Sequence, residues 1–101
     1  MQHISIEQLQ EKLKNDQEIF LIDVREDFEH EQENIGGKLF PFGEILNHVN
    51  EIPTNIPVYI YCRKGIRSQI AIQRLEAKFG FNNLINVTGG MEAWKKLDTG
   101  F

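Results

Sequence analysis

The sequence predicts an α/β domain built on a mostly parallel sheet, with helices on both faces. Two observations carry that expectation. Short apolar runs such as Ile19-Phe20-Leu21-Ile22 and Val58-Tyr59-Ile60-Tyr61 suit strands covered on both sides. Between the runs lie segments whose apolar residues recur at helical spacing, so strands and helices alternate along the whole chain.

Ser5-Ile6-Glu7-Gln8 reads as a capping box, after which Ile6, Leu9 and Leu13 fall on one face of a first helix. Ile19 to Ile22 is the first expected strand, with Asp23-Val24-Arg25 at its carboxyl end and a short acidic helix from about Glu26. Lys38-Leu39-Phe40 is a weaker strand. Phe42, Ile45, Leu46 and Val49 mark a helix closed near Pro53. Val58 to Tyr61 is the next buried strand. Ala71, Ile72, Leu75 and Phe79 line the following helix, which Gly80 stops. Leu84 to Val87 is the last strand, and Thr88-Gly89-Gly90 turns it into a helix carrying Met91, Ala93, Trp94 and Leu97. Ligands of such sheets bind beyond the carboxyl ends of the strands. Asp23 to Arg25, Cys62, and Thr88 to Gly90 all belong to that edge.

A chain of 101 residues has room for one hydrophobic core, so residues 1–101 are expected to form one domain. The formal net charge of −4 argues against nucleic-acid binding. The acidic stretch Glu26-Asp27-Phe28-Glu29-His30-Glu31-Gln32-Glu33 reads as a solvated helix face and loop. His3, His30 and His48 stand in polar surroundings and are expected at the surface. No apolar run approaches the ~20 residues a membrane span requires. Met1 to Ser5 lacks the basic and apolar regions of a signal peptide. A cytoplasmic location is therefore expected, and suits a free thiol. With one cysteine and no ligand-spaced cluster, no metal site is expected.

That cysteine, Cys62, follows an apolar strand and opens the loop Cys62-Arg63-Lys64-Gly65-Ile66-Arg67-Ser68, which runs into a helical pattern. A lone cysteine is ordinarily a small buried hydrophobe. A structural role, however, calls for neither a glycine hinge nor three cations within five residues. Gly65 lets the backbone curl so that its N–H groups point inward as an anion-binding nest. The helix N-terminus, Arg63, Lys64 and Arg67 all favour negative charge on the sulfur. Four residues separate Cys62 from Arg67, one fewer than in the loops of cysteine-dependent phosphatases. The smaller ring suits one extra sulfur on Sγ better than a tetrahedral phosphate.

Around this loop the chain resembles a rhodanese domain, the sulfurtransferase fold. Leu21-Ile22-Asp23-Val24-Arg25-Glu26 is similar to the family's strand ending in Asp-x-Arg. Asn34-Ile35-Gly36-Gly37-Lys38-Leu39 resembles its second landmark, with Asn34 in place of the usual histidine and Lys38 in place of alanine. Cys62 to Ser68 looks like the active-site loop, and Asn86-Val87-Thr88-Gly89-Gly90-Met91-Glu92-Ala93-Trp94 like the closing strand, paired glycines and tryptophan. The resemblance implies a single rhodanese-like domain with a mostly parallel central sheet of about five strands.

It further implies that Cys62 carries a sulfane sulfur as a persulfide, cradled by Arg63, Lys64, Gly65, Ile66, Arg67 and Ser68. The cations would bind an anionic donor such as thiosulfate, and Asp23 and Arg25 would pin the loop layer. The sulfur would pass to cyanide, a thiol or a carrier protein, with no cofactor beyond the covalent persulfide. Two other readings share the fold: a sulfur-relay or docking module with little thiosulfate activity, and a cysteine-dependent phosphatase. Trp94, Phe40 and Phe42 are expected in the core, as are Tyr59 and Tyr61.

Overall fold

The computed structural model describes residues 1–15 and 18–98. Five strands form one sheet: β1 (Gln2–Ile4), β2 (Phe20–Asp23), β3 (Lys38–Leu39), β4 (Val58–Tyr61) and β5 (Leu84–Val87). Their order is β1-β5-β4-β2-β3, and every pairing is parallel. The helices are α1 (Ile6–Lys14), α2 (Asp27–Gln32), α3 (Ile66–Phe79) and α4 (Gly90–Asp98), with a 3-10 segment over Phe42–Glu51.

The sheet is sandwiched because successive strand residues point to opposite faces. Ile22, Val58 and Ile60 join Ile45 of the 3-10 segment and Ala71, Ile72 and Leu75 of α3 in one core. Leu21, Tyr59, Tyr61 and Val87 face the other way, onto Ile6 and Leu9 of α1 and Met91 of α4. Each fully buried aliphatic side chain contributes about 1.5–3 kcal/mol. Trp94 packs against this second core, and Phe40 and Phe42 belong to the first, as the sequence led us to expect.

Ser5 caps α1 as expected: its side chain accepts from the Gln8 N–H, and Gln8 reaches back to the Ser5 N–H. Three expectations are corrected. β1 was not foreseen, and it completes the sheet by pairing with β5. Residues 42–51 wind as a 3-10 helix rather than an α-helix. Phe79 does not line the core: it is 43% exposed, while Phe81, just past the left-handed Gly80, is buried. Among the described residues, no helix is long and apolar enough to cross a membrane.

Registers fix where the functional edge lies. Asp23 is level with Tyr61, Ile60 with Asn86, and Ile4 with Val87. Val24, Cys62 and Thr88 therefore emerge together at the carboxyl edge.

Candidate active site

Cys62 is the first residue past the central strand β4 and is 1% exposed. Its Sγ lies 3.1 Å from the Gly65 N–H nitrogen and 3.4 Å from that of Ser68. Gly65 caps α3 at a φ of +96°, a left-handed conformation that turns its N–H onto the sulfur. Two backbone donors at the start of a helix give the sulfur partners suited to negative charge. The carbonyls of the loop are held from the other side. Met91 N–H donates to Cys62 O at 2.9 Å, and Glu92 N–H to Arg63 O at 3.0 Å. The first turn of α4 thus clamps the backbone of the cysteine loop.

Ser68 is buried beneath the loop, its Oγ 3.4 Å from Sγ. That hydroxyl donates to Asn86 Oδ1 at 2.5 Å, which fixes the Ser68 side chain beneath the sulfur. Asn86 was not singled out from the sequence, yet it orients Ser68, and its Nδ2 lies 3.4 Å from His3 Nδ1. The signal was a polar residue inside the apolar run Leu84-Ile85-Asn86-Val87.

The cations are less available than their spacing implies. Arg67 forms a two-point ion pair with Glu29, with both N···O distances 3.1 Å. Arg63 pairs with Glu92 at 3.2 Å. Lys64 is exposed and has no ion-pair partner among the described residues. The Arg67 guanidinium holds the Glu29 carboxyl below the usual carboxylate range, and Glu29 raises Arg67 in return. Glu29 is therefore no solvated member of an acidic face, which corrects that expectation. Ile66, 62% exposed, stands at the mouth. A cavity of 170 Å³ opens over the sulfur, lined by Cys62, Arg63, Lys64, Ile66 and Arg67. A larger one of 660 Å³ lies beyond Arg63 and Arg67, which line both.

Asp23 and Arg25 are both buried and joined by paired hydrogen bonds, with Arg25 Nη2 2.8 Å from Asp23 Oδ2. Arg25 Nη2 also donates to Glu33 O, and His30 Nδ1 meets Asp23 Oδ2 at 2.8 Å. His30 is thus half-buried against a carboxylate, not a surface residue. His48 likewise stacks on Phe40, with ring centroids 4.2 Å apart. Asn34 donates to His30 O and accepts from the Gly36 N–H. Tyr61, whose phenol burial pushes up, donates to Gly36 O. Asp23 and Arg25 therefore pin the segment around α2, whose Glu29 meets Arg67 of the cysteine loop. Among the described residues, no group of three His, Cys, Asp or Glu side chains is arranged to hold a metal ion.

A buried cysteine at the end of a central parallel strand, ringed by the N–H groups of a helix start, defines an α/β domain of the cysteine-loop class. The chain belongs to the rhodanese-like domain family, whose family model matches residues 5–97. A Bacillus subtilis protein provisionally named as a sulfur carrier, YrkF, is 38% identical over 92 residues. That match takes in 90% of this chain, which spans about half the length of YrkF, 49% of it. A sulfurtransferase of Allochromatium vinosum is 34% identical over 94 residues, covering 92% of this chain and 87% of the relative. The crystal structure of a rhodanese-like domain protein from Staphylococcus aureus superposes with a TM-score of 0.84 at 35% identity, covering 93% and 91% of the two chains.

Proposed function

We propose that Cys62 is the nucleophile of a sulfurtransferase that carries a sulfane sulfur from an anionic donor, such as thiosulfate, to a thiophilic acceptor. The observation that carries this reading is the sulfur's position. It sits on the floor of an open cavity with the Gly65 and Ser68 N–H groups at 3.1 and 3.4 Å. The Cys62 thiolate attacks the outer sulfur of thiosulfate. An S–S bond forms on Sγ, the S–S bond of the donor breaks, and its electron pair leaves with sulfite. The acceptor then attacks the terminal sulfur, takes it, and returns the electron pair to Cys62 as thiolate. Lys64, beside Arg63 and Arg67 in their ion pairs, faces the donor, while the backbone from Arg63 to Ser68 cradles the persulfide. No metal or organic cofactor enters the cycle, and the persulfide itself is the intermediate.

The acceptor is a thiol, in solution or on a carrier protein. The carrier name of the YrkF relative supports a relay of this kind, with the domain handing sulfur to a partner. We assign the work to the cytoplasm, where a free thiol persists.

Intact mass spectrometry of the reduced protein after thiosulfate tests the reading. A gain of one sulfur on the wild type is expected, discharged by cyanide as thiocyanate and absent in Cys62→Ser. A folded wild type that gains no sulfur from thiosulfate or from an organic persulfide would overturn it.

A further inference from the structure

The loop advertises three cations, yet the fold spends two of them on its own carboxylates. Arg67 is the more consequential, because it lines the 170 Å³ cavity over Cys62 and also the 660 Å³ cavity beside it. Glu29 grips it at two points, and both partners are substantially shielded, with side chains 33% and 16% exposed. A shielded two-point pair is fixed in direction as well as charge. The Arg63–Glu92 pair is more exposed, at 65% and 40%, and is correspondingly loose. At the mouth itself the remaining wall is apolar, formed by Ile66, and Phe28 stands 65% exposed on the rim of the larger cavity. A site built to collect a small dianion would leave its guanidinium open to it. Among the described residues, this one presents two neutralised guanidinium groups, a single unpaired cation in Lys64, and an isoleucine.

We propose that Glu29 is a specificity-determining residue: by occupying Arg67 it selects against small dianionic donors and favours the persulfide of an organic thiol. The inference rests on the sulfurtransferase reading and names its donor class. In the step, the Cys62 thiolate attacks the outer sulfur of R–S–SH. The new bond is Sγ–S, the R–S bond to that sulfur breaks with its electron pair leaving as R–S⁻, and the proton stays on the transferred sulfur. The organic group R lies against Ile66, and the single charge that develops on the departing R–S⁻ needs only the N–H groups and Lys64. Thiosulfate remains a usable but poor donor.

The test measures kcat/KM for thiosulfate and for mercaptoethanol persulfide in wild type, Glu29→Gln, Arg67→Ala and the double variant, each checked by thermal melting. Glutamine keeps the oxygen that accepts the Glu26 N–H at 3.0 Å, so α2 retains its cap. Freeing Arg67 in E29Q is expected to raise kcat/KM for thiosulfate about tenfold, mainly through KM and less at high salt. Mercaptoethanol persulfide should change by less than about twofold, since it bears at most one charge. R67A, which strands Glu29 at the wall, should lower thiosulfate use, and the double variant should return near wild type. Thiosulfate kinetics unchanged or worsened in a folded E29Q would overturn the proposal while leaving sulfur transfer intact. Wild type inert towards both donors would overturn the sulfurtransferase reading, and this one with it.

Discussion

The clamp between the cysteine loop and α4 makes Gly90 the most sensitive backbone position in the site. Gly90 has a φ of +53°, and a Cβ added there would stand 2.2 Å from Cys62 O and 2.9 Å from Arg63 O. Real Cβ contacts essentially never fall below 3.0 Å, so Gly90→Ala forces the two backbones apart by about 0.8 Å, from 2.2 to 3.0 Å. Neither side yields cheaply, since both clashing oxygens are main-chain atoms. The movement takes Met91 N–H and Glu92 N–H out of reach of Cys62 O and Arg63 O, now at 2.9 and 3.0 Å. Two such bonds are worth about 1 kcal/mol each. Left-handed backbone on an alanine adds about 1 kcal/mol of strain, for about 3 kcal/mol in all. In a domain of this size that loss lowers the melting temperature by roughly 12–24 °C. Circular dichroism melts of Gly90→Ala beside Gly36→Ala read it directly. Gly36 is also left-handed, at φ +102°, but its added Cβ would meet nothing within 4 Å, so only the strain of about 1 kcal/mol remains. Equal melting temperatures for the two variants would refute the clamp. Gly90→Ala should also slow sulfur loading, because the displaced carbonyls drag Cys62 with them.

Two further outcomes follow from the charge network. Arg67 holds Glu29 below the usual carboxylate range, so the folded state takes up that proton at lower pH than the unfolded chain. The pair therefore stabilises above the ordinary glutamate value of about 4.3, and its contribution is lost as pH falls through the lower folded value. The melting-temperature difference between wild type and Glu29→Gln should be steady near neutrality and shrink on acidification. A difference independent of pH would remove the pair from the stability of the fold. Asp23→Asn leaves Arg25 buried without its counter-charge and takes the partner from His30. It should cost about 3–5 kcal/mol in urea unfolding, and a loss below about 1 kcal/mol would show that water replaces the carboxylate.

The parts of this protein that its sequence announced are those whose causes lie close together in the chain. Phe20–Asp23 and Val58–Tyr61 declare themselves because both faces of each strand are covered, leaving little room for polar residues. The α1 cap is legible because Ser5 and Gln8 are three residues apart. β1 is different: of Gln2, His3 and Ile4 only Ile4 is buried, so an edge strand held by main-chain bonds to β5 leaves almost no side-chain trace. Helical spacing at Phe42, Ile45, Leu46 and Val49 predicted a turn-by-turn winding, but so coarse a pattern does not separate 3-10 from α. At Phe79 the periodicity ran one turn too far. Gly80 reverses the chain and gives the core position to Phe81.

The same distinction divides the candidate site. Cys62, Gly65 and Ser68 lie within one loop, so their shared geometry about the sulfur is a local matter that a glycine and a helix start suffice to foretell. The charge at the mouth is not local. Arg67 meets a carboxylate 38 residues away and Arg63 one 29 residues away, and only the order of the strands brings α2 and α4 to either side of the loop. A count of cations along the chain therefore overstates the field at Cys62, because the fold supplies the counter-ions from elements the motif does not contain. On the proposed reading the motif names the reacting atom, and the partners that the topology brings to Arg67 and Arg63 govern which donor reaches it.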